Sequence, residues 1–365
     1  MPQFNRRDFM KVSALSAAAL AFRPGLPAGR PGAMALPDFP EGKRLGRMLA
    51  SIPVHSLPTP DSALVRTIFE DEVVPLYREV VGSQPFRINQ NWLETPEGYI
   101  WSPDVQRVRN LPNSAVRELP ETSLGTGMWA EVTVPYVDLT LSNPPARAPW
   151  LANRLAAGLQ ARFFYKQVAW IESIEFDDQD QVFYQVKERF GYGDSFLADA
   201  RAFRPLTPEE IEPINPEIED KKIVVDITRQ TLTAYEEGRE VYFARVSTGV
   251  MTDFQGNQVD EWGTPLGTHR IWRKAVSLPL SGGSSAAGWD LPAVGWITLF
   301  VGRGVAVHST HWHHNYGVPT SRGCVNCQPA DAKWVFRWTA PQIGYDPGDI
   351  TVGMPGGTQI QVIQS

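Results

Sequence analysis

Val307-His308-Ser309, followed after a short loop by Ser321-Arg322-Gly323-Cys324-Val325-Asn326, is the segment that decides how this chain is read. It places a histidine sixteen residues before a cysteine, among glycine and polar residues rather than in an apolar run. The 365 residues hold two cysteines and six histidines, and both cysteines and four of the histidines lie between His308 and Cys327. That concentration points to thiol and imidazole chemistry at one place.

A thiol with an ordinary pKa of about 8.5 is mostly protonated at neutral pH, so it needs a base beside it to act as a nucleophile. His308 is the candidate base for Cys324, and proton transfer between them would give a thiolate and imidazolium pair. Gly323 permits a tight turn and removes side-chain bulk where a carbonyl must approach. Backbone N–H groups around Gly323 and Cys324 are the expected oxyanion donors, with Ser321, Arg322 and Asn326 orienting the turn. Arginine cannot serve as a base, so Arg322 leaves His308 alone in that role. The hydroxyl or carbonyl of Ser309 is placed to fix the imidazole tautomer.

Between the two motifs, His311-Trp312-His313-His314-Asn315-Tyr316-Gly317 has two readings. It is either a lid whose Trp312, His313 and Tyr316 meet substrate or a loop whose rings only pack on the domain. Cys324 and Cys327 have C-x-x-C spacing, but no thioredoxin-like βαβ pattern surrounds them. Cys327 therefore reads as an incidental second thiol, with a protective disulfide to Cys324 as the lesser alternative.

Working outward, Lys222-Ile223-Val224-Val225-Asp226-Ile227, Thr231-Leu232-Thr233-Ala234-Tyr235 and Glu240-Val241-Tyr242-Phe243-Ala244-Arg245-Val246 are strands separated by short polar turns, which makes a β-meander. It leads into Ser247-Thr248-Gly249 and, further on, Gly263-Thr264-Pro265-Leu266-Gly267-Thr268. Residues 330–338 read as a helix, with Pro329 in its first turn and Ala332, Val335 and Phe336 as a buried stripe. Upstream, residues 206–220 carry prolines and acids between two strand-rich regions and read as a stiff linker. Residues 44–110 and 125–205 each run aromatic strand, turn, aromatic strand. In the first of these, Trp92 to Trp101 forms a hairpin around Pro96-Glu97-Gly98.

The start of the chain reads as a removable leader over residues 1–35. Asn5-Arg6-Arg7-Asp8-Phe9-Met10-Lys11 is a twin-arginine start, an apolar run from Val12 to Phe22 follows, and Ala33-Met34-Ala35 is a cleavage pattern. The run is too short to span a bilayer. Removal of the leader takes five basic residues and one acid from a chain of net charge −6, leaving −10. An acidic surface disfavours nucleic acid and anionic membranes as partners. The expected location is the cell envelope, by twin-arginine export. Two cysteines exclude a disulfide-built scaffold, so hydrophobic cores must hold the fold.

These motifs together resemble a YkuD-type L,D-transpeptidase catalytic domain over residues 221–365. The resemblance rests on the meander, the Thr-Pro-x-Gly-Thr turn at Thr264 to Thr268, His308, and the Ser-x-Gly-Cys-x-Asn block. Residues 44–110 and 125–205 resemble bacterial SH3-like barrels by pattern. The implied fold is mainly β: a YkuD-like β-sandwich with one or two short helices, preceded by one or two small SH3-like β-barrels. The resemblance implies that Cys324 attacks a peptidoglycan stem tetrapeptide before its terminal D-alanine. D-alanine leaves, and a second stem's amine resolves the thioester to a 3-3 cross-link. It further implies substrate contacts near Thr248, acylation of Cys324 by carbapenems, and no cofactor or metal. Arg322 stands where many members have histidine, and Ser309 where many have glycine. Other readings are L,D-carboxypeptidase action at the same site, a zinc site built from His308, His311, His313, His314, Cys324 and Cys327, and an inactive wall-binding protein.

Overall fold

The computed structural model describes residues 34–252, 255–282 and 289–365, so almost all of the expected leader lies outside the described residues. The described chain is mainly β, with two α-helices, Pro149–Ala156 and Pro329–Trp338. Its strands fall into two N-terminal β units and a C-terminal sandwich.

The first unit has a three-stranded sheet ordered Val73–Pro75, Leu45–Met48, Val105–Val108. A five-stranded sheet, ordered Leu64–Ile68, Ile52–His55, Gly98–Trp101, Asn91–Thr95, Glu79–Val81, completes it. Met48, Val54, Ile68, Leu93, Ile100 and Val105 are shared between the two sheets as one core. The expected hairpin forms: Trp92 faces Trp101, Thr95 faces Gly98, and Gly98 has φ 151°. The second unit is a seven-stranded sheet that places Val168–Phe176 beside Met128–Val132 and Val182–Lys187, with the helix Pro149–Ala156 alongside. All these sheets are open, with edge strands at both ends, and none closes into a barrel.

The C-terminal sandwich has two five-stranded sheets. One is ordered Arg239–Arg245, Thr231–Glu236, Lys221–Asp226, Gln359–Ile363, Gly267–Arg270, so the expected meander supplies three adjacent strands. The other is ordered Val325–Cys327, Val305–Ser309, Trp289–Val301, Arg273–Gly282, Asp349–Thr351. Ile223, Val225, Leu232 and Val362 of the first sheet meet Val276, Phe300, Val305 and Val307 of the second, with Ala332, Val335, Phe336 and Trp338 of the helix in the same core. Pro329 is at the start of that helix, where its missing N–H costs nothing.

The proline-rich stretch packs rather than running free. Leu206 and Ile211 join the sandwich core, and Glu210 binds both Arg204 at 2.7 Å and Lys333 at 2.8 Å. The second unit also enters that core through Trp129, Val168 and Trp170. Ser277 Oγ donates to the Val168 carbonyl at 2.6 Å, and the Trp129 amide donates to Tyr345 Oη at 2.9 Å. Trp129 is 2% exposed and meets Trp170 edge-on at 5.1 Å. Trp129→Ala is expected to lower stability by about 3–5 kcal/mol, the cost of emptying a buried aromatic site. Urea unfolding followed by near-UV dichroism checks this, and the second unit and the sandwich should melt together.

Candidate active site

Strand alternation puts His308 and Cys324 on one face. Val305–Ser309 pairs in parallel with Val325–Cys327, with Val307 opposite Val325, His308 opposite Asn326 and Ser309 opposite Cys327. Val305, Val307, Val325 and Cys327 point into the sandwich core, whereas Ala306 belongs to a smaller cluster on the other side with Ala275, Ile297 and Leu299. Successive residues of a strand face opposite sides, so His308 and Asn326 share the Ala306 side, and an extended continuation of Val325–Cys327 by one residue carries Cys324 to it. Were the extended pairing continued by one residue to Cys324, the Cys324 and His308 Cα atoms would lie roughly 8 Å apart, a diagonal that a thiol and an imidazole can bridge.

His308 is 2% exposed. Its Nδ1 lies 2.9 Å from the Ser309 carbonyl, and a carbonyl only accepts, so Nδ1 carries the proton and Nε2 keeps its lone pair. It is the Ser309 carbonyl, not its hydroxyl, that sets the tautomer.

The turn before Cys324 is held by its own residues and by a distant threonine. Ser321 Oγ donates to the Cys324 carbonyl at 2.6 Å and accepts from the Gly323 amide at 3.2 Å. Gly323 has φ 120°, in the region where any side chain is strained. Because the Gly323 amide is spent on Ser321, it is not free to meet an oxyanion. Thr264 Oγ1 donates to the Gly323 carbonyl at 2.8 Å and accepts from the Gly249 amide at 2.9 Å. Gly249 itself admits no side chain, because a Cβ there would sit 2.0 Å from the Trp262 carbonyl. Thr264 thus ties together the three motifs that are far apart in the chain, a role that its place in a turn does not announce.

Other expected site residues divide between surface and interior. Arg322 is exposed and lays its guanidinium over the Trp262 ring at 4.7 Å. Cys324 is partly exposed and its thiol lies 3.8 Å from the Gly304 carbonyl. Thr248 is 1% exposed. Its hydroxyl accepts from Gln230 Nε2 at 2.7 Å, and its carbonyl receives the Thr320 and Ser321 amides. It therefore shapes the loop from within rather than facing substrate. Cys327 is fully buried on the face opposite Cys324, and both thiols are free.

The loop after His308 is packed, and its partly exposed rings interlock. Trp312 lies 5.6 Å from the His308 ring and 5.0 Å from His311. Tyr316 Oη donates to the Cys327 carbonyl at 3.2 Å. His313 accepts the Asn315 amide at Nδ1, so its proton is on Nε2, which faces Thr320 Oγ1 at 3.0 Å and the Asn326 amide group at 2.8 Å. Thr320 Oγ1 is an acceptor within reach of that proton. Among the described residues no group of three or more His, Cys, Asp or Glu side chains converges as metal ligands.

Residues 220–362 match the YkuD family, the L,D-transpeptidase catalytic domain. This part of the chain is a YkuD domain. Among solved structures the chain is similar to a mutant of the Enterococcus faecium L,D-transpeptidase, with 23% identity over 40% of this chain and 51% of that one and a TM-score of 0.30. It is similar to residues 123–326 of the Xylanimonas cellulosilytica L,D-transpeptidase, with 23% identity over 42% and 64% of the two chains and a TM-score of 0.27. With the L,D-transpeptidase from Mycobacterium smegmatis it shares 17% identity over 80% and 99%, with a TM-score of 0.31. The chain thus spans about half of the first of these and under two thirds of the second. No curated protein matches.

Electrostatics of the YkuD domain favour uncharged forms of both His308 and Cys324. Burial lowers His308 to about 4, against a weaker upward pull from the Ser309 carbonyl. Burial pushes the Cys324 thiol up, offset in part by the Ala306 amide. Both shifts disfavour the charged forms and so oppose the thiolate and imidazolium pair expected from the sequence. Burial also holds His313 and His314 at about 3. These histidines have folded values below the ordinary value of about 6.5. Their contribution to stability is complete above that value and is lost as pH falls toward 4 and then 3. The thermal midpoint is expected to fall steadily on acidification from pH 6.5 to 4, and His314→Asn should flatten the slope. Thr264→Val keeps the shape but strands the Gly249 amide and the Gly323 carbonyl, at a cost of about 1–3 kcal/mol. The rate of Cys324 alkylation by iodoacetamide in that variant should fall at least fivefold.

Proposed function

We propose that this protein is an exported cysteine L,D-transpeptidase that forms 3-3 cross-links between peptidoglycan stem peptides. The observation that carries the reading is the His308 tautomer: with Nδ1–H committed to the Ser309 carbonyl at 2.9 Å, Nε2 is a lone pair on the sheet face that Cys324 shares.

The donor stem is a tetrapeptide ending in D-alanine. Cys324 Sγ attacks the carbonyl before D-alanine as His308 Nε2 takes the thiol proton, so charge develops only as the bond forms. The Cys324 amide, next to the Gly323 amide already engaged, is the backbone donor for the oxyanion. The C–N bond breaks, His308 passes its proton to the departing D-alanine amine, and a thioester remains. The side-chain amine of a second stem attacks that thioester, His308 takes a proton from it, and the proton returns to sulfur as the new amide forms. Arg322, exposed on Trp262 beside the turn, can meet the carboxylate of a stem peptide. Water in place of the amine would give L,D-carboxypeptidase action at the same site.

Intact-protein mass spectrometry with a carbapenem tests the nucleophile. The wild type should gain one acyl adduct on Cys324, and Cys324→Ala none. His308→Ala should acylate at least a hundredfold more slowly. An adduct on Cys324→Ala would remove the assignment.

A further inference from the structure

The loop that follows His308 is held by the first N-terminal unit as well as by its own domain. Arg47, on the strand Leu45–Met48, is 3% exposed. Its guanidinium spends three separate donors. Nη1 binds Asp71 at 2.6 Å, Nε donates to Gln106 Oε1 at 2.8 Å, and Nη2 donates to the carbonyl of His311 at 3.1 Å. The same guanidinium lies 3.9 Å over Phe164 of the second unit, and that ring stacks on the His311 imidazole at 5.5 Å and 25°. Asp71 is shared with Arg162 at 2.7 Å, which also holds Asp138 at 2.7 Å, so the buried charges balance. A second strap lies alongside, where the His314 amide donates to the Pro103 carbonyl at 3.0 Å.

A buried guanidinium is costly unless every donor finds a partner, and this one spends a charge-assisted bond on a loop carbonyl. His311 in turn meets Trp312, which also lies against the His308 ring. We infer that the first N-terminal unit is a working part of the active site. Arg47 acts as its positioning residue, fixing the His311 carbonyl and thereby the Trp312 face against which His308 is set. The inference rests on the pairing of His308 with Cys324 but not on the identity of the wall substrate. It gives the N-terminal half of the chain a function at the reaction centre, independent of any grip on wall polymer.

The test uses the full chain and a probe that needs no wall substrate: iodoacetamide alkylation of Cys324, with buried Cys327 as the unreactive internal reference. Arg47→Gln removes the bond to the loop. Phe164→Leu removes both ring contacts while leaving every charge paired, so it decides the matter if Arg47→Gln fails to fold. In folded variants, alkylation should slow by about 10- to 100-fold, the cost of a misplacement near 1 Å. Amide exchange should rise across residues 310–317, and the His308 Nδ1–H resonance should broaden. Arg47→Lys, which keeps the charge but not the fork, should recover part of the rate. Wild-type alkylation and an unchanged His308 resonance in folded Arg47→Gln or Phe164→Leu would overturn the inference. Absence of an acyl-enzyme in the wild type would instead sink the transpeptidase reading and leave this one standing.

Discussion

The arrangement at the site depends on a short parallel pairing, Val305–Ser309 against Val325–Cys327, made by two strands that flank a loop. Side chains alternate with a period of two, so a one-residue slip would turn Cys324 into the core and bring Val325 and Cys327 out of it. Val307 and Val325, both fully buried, pin the register by their place in the sandwich core. The hydrophobic effect thus decides which of two nearby thiols is presented beside the imidazole. Ser321 and Thr264 then fix the turn that delivers it.

Burial creates a tension at this site. It leaves His308 neutral and able to accept a proton, while it also raises the thiol and so opposes a free thiolate. Under the proposed acyl transfer, a pair biased toward its neutral forms would gain charge on sulfur only where an oxyanion can form opposite it. The ring contacts from Phe164 through His311 and Trp312 to His308 enforce that burial. They extend the site's support from the YkuD domain into the second N-terminal unit, and Arg47 over Phe164 carries it into the first.

Much of this was legible in the sequence because it is written locally. Alternating apolar residues from Ile223 to Val246 marked the meander, Pro96-Glu97-Gly98 the hairpin, and Pro329 with Ala332, Val335 and Phe336 the helix. The histidine and cysteine spacing marked the candidate pair of the proposed acyl transfer. What escaped depends on contacts between distant segments. Thr264 reads as a turn residue until Gly249 and Gly323 are folded against it, and Gln230, which binds Thr248 through both amide atoms, reads as a polar turn residue between two strands. Thr248 looked available to substrate only because nothing in its neighbourhood shows that it will be buried. Arg47 is one arginine among many until Asp71, Gln106 and the His311 carbonyl surround it. The proline-rich stretch reads as a stiff linker because composition reports stiffness, whereas Leu206 and Ile211 bring it into the sandwich core. The open N-terminal sheets differ from barrels for a similar reason, since aromatic hairpins alone do not say whether edge strands meet.

The central claim is that Cys324 and His308 carry out acyl transfer from a stem tetrapeptide to an amine. Mass spectrometry of purified tetrapeptide muropeptides after incubation with the full chain addresses it most directly. The account predicts cross-linked dimers one D-alanine lighter than two tetrapeptides, absent with Cys324→Ala. Tripeptide without dimer would restrict the enzyme to hydrolysis, and unaltered tetrapeptide alongside intact, folded protein would contradict the claim.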